Sequence, residues 1–346
     1  MRSMVEREEP LRVPDPCLRR RVSLSTSLRL VPLPLGGRIV SMNLNNRIKA
    51  LVAALDRRVR PWAQASRWNG WAFEFLLFGM KQAWACLFGG LMLALIVGTR
   101  LLWPADAALH RYDVLVVASL AIQFGLLALR LEKPEEALVI LIFHVVGTGM
   151  EIFKVAHGSW TYPEASLIRI GGVPLFSGFM YACVGSYIAR AWRLFDIRFD
   201  HYPPIWTTWV LAVAAYVNFF SHHYMQDLRW PLFVLSAAIF GRSWFVFTPD
   251  RVARRMPMLV GFLLVAFFIW IAENLATLAD AWTYPTQAHG WRPVGLVKMG
   301  SWYLLMLLSF VLVSAVHRPC PSPSWGGTGR EADRVGKSDA KQAKSG

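Results

Sequence analysis

Charge is scarce in this chain. Only 17% of its 346 residues are Asp, Glu, Lys or Arg, against about 25% in a typical soluble domain. The shortfall, with 55% hydrophobic residues and a mean hydropathy of +0.37, excludes an ordinary cytosolic enzyme and a disordered protein. Cysteine is scarce too. Cys17, Cys86, Cys183 and Cys320 lie far apart, which excludes a small disulfide scaffold and leaves no metal-ligand spacing. The chain also lacks a Walker loop, a dinucleotide glycine fingerprint and a nucleophile elbow. Neither an ATP-driven pump nor a serine hydrolase is written here, and no residue pattern asks for a metal or a cofactor.

Long apolar runs, by contrast, are abundant. Eight are predicted as spans, over about 73–98, 113–130, 137–153, 173–192, 205–221, 229–246, 257–276 and 296–316. The fifth and sixth are short; the rest approach or exceed the length that crosses a bilayer core of about 30 Å. They are continuous, not alternating, so they read as helices. The expected fold is an all-α polytopic membrane protein, and the expected setting is a lipid bilayer.

The formal net charge is +15, and its placement decides what it means. Residues 1–41 carry 8 Lys/Arg against 4 Asp/Glu, and 318–346 carry 6 against 3. The remaining cations cluster beside the apolar runs, as topology-setting residues do, and no soluble module concentrates them for nucleic acid. With the N-terminus inside and residues 1–41 left out of the count, 21 Lys/Arg fall in cytoplasmic segments and 6 in outer ones. Both ends are therefore expected in the cytoplasm. Residues 1–41 read as a disordered basic tail, or as an over-extended start ahead of Met42. Residues 42–72 read as a cytoplasmic amphipathic lead-in, and 318–346 as a disordered tail.

Between the tails the sequence repeats. Trp160-Thr161-Tyr162-Pro163 returns as Trp282-Thr283-Tyr284-Pro285, and at the same offset Glu151 meets Glu273, Gly178 meets Gly300 and Tyr181 meets Tyr303. The pattern predicts two like-oriented four-helix halves, 73–192 and 193–317. In each half a glutamate closes the third helix, an aromatic-proline loop follows, and Gly and Tyr lie in the fourth.

Ionisable groups at membrane depth are costly and mark functional sites. Candidate catalytic residues are Glu151, Glu273 and His144, the last sharing a helical face with Thr148 and Glu151. Candidate substrate-binding residues are Trp160, Tyr162, Tyr181, Trp282, Tyr284, Tyr303 and Lys298. Each has a plainer account: belt aromatics, a snorkelling lysine, a helix-bridging histidine. His222-His223 read as interface loop residues, since adjacent histidines point to different sides of a helix. The repeated glutamates resist such an explanation.

Several stretches resemble a bacterial integral-membrane family, domain-of-unknown-function family 817. They are Phe78-Gly79-Met80-Lys81-Gln82-Ala83, Gly158-Ser159-Trp160-Thr161-Tyr162-Pro163 and the run from Gly171-Gly172-Val173-Pro174 through Gly178-Phe179-Met180-Tyr181. Ala189-Arg190-Ala191-Trp192-Arg193-Leu194-Phe195-Asp196, His222-His223-Tyr224 and Gln287-Ala288-His289-Gly290-Trp291 complete the set. The resemblance covers about residues 70–318 and implies a bacterial inner-membrane protein without an assigned activity. Glu151, Gly158-x-Trp160-x-Tyr162 and Gly172-Val173-Pro174 are also similar to membrane-embedded carotenoid cyclases and hydratases. Here Leu175-Phe176 stand where the cyclases carry acids.

Three functions stay open at this level. An enzyme would use the glutamates for acid–base chemistry on an isoprenoid or lipid, with aromatic faces steadying a carbocation. A proton-coupled transporter would use them as coupling carboxylates, though both lie near the outer helix ends and not at mid-bilayer. A non-catalytic scaffold would pair them with Lys81, Lys154 or Lys298. The sequence names neither the substrate nor the oligomeric state.

Overall fold

A computed structural model describes residues 54, 56–104 and 106–322. The basic tail 1–41 and most of the C-terminal tail lie outside the described residues. After helical turns over 56–65, α1 (Arg67–Ala85) starts where Ser66 Oγ accepts the backbone N–H of Asn69 at 3.1 Å, a side-chain cap for an otherwise unpaired donor. The expected first span is broken. α1 stops at Cys86 and α2 (Leu87–Leu102) leaves it at 67°, just before Gly89-Gly90, where helical propensity is lowest.

α3 (Arg111–Ala128) and α4 (Pro134–Ala156) follow. Proline at the first position of α4 loses no helical bond, and the Glu136 carboxylate accepts the Lys133 backbone N–H at 3.0 Å. A short hairpin, β1 (Arg169–Ile170) with β2 (Val173–Pro174), turns the chain into α5 (Phe176–Leu194). α4 and α5 pack most extensively, since Gly147 and Gly178 let them approach. A Cβ at Gly147 would sit 2.7 Å from the Tyr181 ring.

β3 (Arg198–Asp200), α6 (Ile205–Ser221), α7 (Arg229–Phe240), β4 (Trp244–Phe247) and β5 (Arg254–Pro257) come next. α7 is shorter than the sixth predicted span. Its last residues leave the helix at Gly241 and enter β4, where Trp244-Phe245-Val246-Phe247 are strong strand formers. The three strands form an antiparallel sheet, with Phe199 opposite Phe245 and Phe245 opposite Met256. The chain then runs through α8 (Met258–Leu278), a 3-10 turn at Pro285–Gln287, and α9 (Val297–Val316). Residues 320–322 return alongside β3, joined through Phe199.

The protein is mostly helical. α3, α4, α8 and α9 are each long and apolar enough to cross a membrane, and α1–α2 makes a fifth if the bent pair is one span. The helices run between two ends: a sheet end holding β3–β5, and a loop end holding the two Trp-Thr-Tyr-Pro segments. The larger core cluster lies between these ends around Phe262, Phe310 and Trp192. A second cluster seals the loop end with Tyr112, Trp160, Tyr162, Phe176 and Trp282.

Candidate functional site

The two aromatic loops meet. Thr161 and Thr283 exchange backbone hydrogen bonds at 3.0 and 2.9 Å, and the Trp160 and Tyr284 rings meet edge-on at 5.9 Å. Beneath this seam lie Glu151, near the end of α4, and Glu273, near the end of α8. Both are buried. A carboxylate removed from water must be repaid by hydrogen bonds, and the loops supply them. Glu151 accepts from Trp160 Nε1 at 2.8 Å, Tyr162 OH at 2.7 Å and Tyr181 OH at 2.8 Å. Glu273 accepts from Tyr284 OH at 2.5 Å and Trp302 Nε1 at 2.6 Å. Burial first, and then the adjacent glutamate, push the loop phenols of Tyr162 and Tyr284 well above the usual tyrosine value. They therefore remain donors at any ordinary pH.

Lys298, at the start of α9, reaches into the space between the carboxylates. Its Nζ lies 5.2 Å from the Trp160 ring centroid and 4.6 Å from that of Tyr284, within cation–π range. No salt bridge pairs it directly among the described residues.

These groups close one end of a cavity of about 970 Å³, the upper end of the range for small-molecule sites. α8 lines it from Gly261 to Ala276, a length of about 22 Å at the helical rise. The walls are apolar over most of that length. Phe75, Leu264 and Phe268 line the cavity yet are 73%, 47% and 65% exposed. The cavity thus opens sideways through the apolar flank of the bundle, between α1 and α8.

The predicted residues divide. Glu151, Glu273, Trp160, Trp282, Tyr181, Tyr284 and Lys298 line the cavity, and Tyr162 stands behind Glu151. Tyr303 turns away to Ser236 on α7 at 2.9 Å. His144 is also apart: its ring packs on Phe179 at 4.3 Å and its Nδ1 is buried without a hydrogen-bond partner among the described residues. Trp302 was missed, because the matching position in the first half is Met180 and the repeat points one residue further on. Also missed is a cluster one helical turn beyond Glu151, where Lys154 Nζ lies 3.1 Å from His222 Nε2 and 2.8 Å from His223 Nε2. Only the tertiary fold joins them.

The chain matches the model of the family described as "Protein of unknown function (DUF817)" over residues 74–310. It is 41% identical over 245 residues to "Uncharacterized protein YoaT" of Bacillus subtilis (strain 168), covering 71% of this chain and 92% of that protein. No solved structure matches.

Proposed function

The chain belongs to the DUF817 family, and we propose that it is a multi-pass inner-membrane enzyme acting on an isoprenoid or lipid by acid–base chemistry. The observation that carries this reading is the laterally open apolar cavity ending on Glu151, Lys298 and Glu273. A lipid enters such a space from the bilayer without crossing water. In such chemistry one carboxyl protonates a substrate double bond, and Glu151, whose bonded groups are all donors, is placed to take a proton back from the resulting cation. Lys298 supplies a balancing charge, and the aromatic faces of Trp160 and Tyr284 steady positive charge developing on an apolar substrate. In this reading the chain makes eight passes with both ends cytoplasmic, and its halves are like-oriented repeats meeting at the Thr161–Thr283 seam.

The test is chemical. Lipids extracted with the purified protein are identified by mass spectrometry and offered back as substrates. Turnover that is lost in Glu151→Gln and Glu273→Gln at unchanged protein recovery supports the reading. Equal turnover in both variants overturns it. For the topology, reporter fusions after Arg198 and Arg255 should read cytoplasmic and one after Pro163 extracytoplasmic.

The transporter reading draws on the same cavity, whose lining extends from the carboxylates to Met256 at the sheet end. Proton-coupled uptake by reconstituted vesicles, abolished in the same variants, would favour it.

A further inference from the structure

Lys154 is only 4% exposed, and no carboxylate of the described residues lies within salt-bridge distance of it. Its polar partners are the two imidazole nitrogens of His222 and His223, and its Nζ lies 4.3 Å from the Phe219 ring centroid. A buried ammonium is stable when an anion compensates it; imidazoles and a ring face supply hydrogen bonding but no opposite charge. The missing counter-charge is conspicuous because Glu151 stands one helical turn away on α4 and is wholly engaged by Trp160, Tyr162 and Tyr181.

Lys154 and His222 both line the cavity, as do Arg229 and Lys298. Arg229 gives Nε to Asp227 at 2.5 Å and Nη1 to Ser301 at 3.3 Å, which leaves Nη2 without a hydrogen bond among the described residues. Three cationic side chains thus share the polar end of a space whose remainder is apolar and about 22 Å long.

Resting on the reading that this cavity takes a lipid, we propose that Lys154, His222 and Arg229 form a headgroup site for an oxyanion, phosphate or carboxylate, at the end of a single long hydrocarbon chain. The oxyanion accepts from Lys154 Nζ and Arg229 Nη2, and His222 holds the lysine in place beside it. The chain extends along α8 toward the lateral opening. The head supplies the charge that Lys154 lacks, and the aliphatic walls exclude water from the tail.

Binding in neutral-detergent micelles tests this with four probes: hexadecyl phosphate, hexadecanoate, hexadecanol and inorganic phosphate. The two anionic amphiphiles should bind and raise Tm, while the alcohol and free phosphate should not. Lys154→Met should weaken the anionic amphiphiles by about tenfold or more, the loss of one charge-assisted hydrogen bond. Arg229→Gln should weaken them in the same direction. Because Lys154→Met removes an uncompensated charge, its Tm without ligand should equal or exceed that of the parent, so misfolding cannot mimic the result. Unchanged affinity in both variants overturns the headgroup site, as does hexadecanol binding as tightly as hexadecyl phosphate. Inorganic phosphate binding as tightly as the amphiphiles would show a plain anion site and overturn the lipid assignment. The two readings fail separately: unchanged binding in Lys154→Met leaves the carboxylate chemistry standing, and unchanged turnover in Glu151→Gln leaves the headgroup site standing.

Discussion

Thr161 and Thr283 donate their backbone N–H groups to each other's carbonyls, at 3.0 and 2.9 Å. These two bonds join loops that are 122 residues apart, and they form the roof over both buried glutamates. The Thr161 side chain is exposed and takes no part. Thr161→Val should therefore leave Tm unchanged, because valine keeps the β-branch and the N–H. Thr161→Pro removes the donor and leaves a carbonyl unpaired, at a cost of about 1–3 kcal/mol. Thermal unfolding in detergent checks the pair.

The carboxylates make a second prediction, one that separates chemistry from anchoring. In Glu151→Gln the amide must turn its NH₂ toward at least one of three donors, so stability should fall by about 1.5–3 kcal/mol, the worth of a hydrogen bond to a charged group. Glu273 has two such partners where Glu151 has three, so Glu273→Gln should fall by less. If either acts in proton transfer, turnover per folded molecule should drop by about 10²–10⁴-fold. A drop in Tm with turnover per folded molecule intact would assign both residues to anchoring alone.

At the sheet end, Arg190 is fully buried and lies 3.5 Å from Glu132, which also accepts from Gln123 at 2.6 Å and Ser186 at 3.1 Å. Glu132→Ala strands the guanidinium and should cost about 3–5 kcal/mol. Glu74→Ala, which breaks a partly exposed pair with Arg254, should cost about 1 kcal/mol or less. Comparing the two Tm values tests whether burial sets the difference.

Stability should also depend on pH through His223. Burial, and then the neighbouring charges of Lys154, His222 and His157, hold its imidazole below the ordinary histidine value. The unfolded chain therefore takes up this proton before the folded one does. The contribution is fully present above the ordinary value of about 6.5 and is lost as pH falls below it. Tm should decline between pH 7 and pH 5, and His223→Gln should flatten that decline.

How far the sequence could be read follows from what each signal depends on. The repeated Trp-Thr-Tyr-Pro segments and their glutamates are local, fixed-spacing features, and in the fold they lie together with Lys298. Trp302 broke the pattern because the two halves use different donors: Tyr181 in one, Trp302 in the other. Lys154 meets His222 and His223 across 68 and 69 residues, a contact that no periodicity announces. The break at Cys86 and the strand at Trp244–Phe247 were hidden inside continuous hydrophobicity, which reports burial more clearly than it reports backbone geometry.

The sources of the carboxylates' hydrogen bonds bear on how the molecule is made. Glu151 takes its donors from 9, 11 and 30 residues downstream, and Glu273 from 11 and 29. Each acid is thus satisfied by the segment synthesised directly after it, with no need to wait for the other half of the chain. Such short-range closure is entropically cheap and fast. The glutamates' hydrogen bonds can therefore form before the threonine seam, the Lys298 ammonium and the shared core around Trp192 and Phe310 come together. A chain cut between Phe195 and Arg198, ahead of β3, and expressed as two pieces should reassemble in the membrane through that seam and the core shared by Trp192 and Phe310.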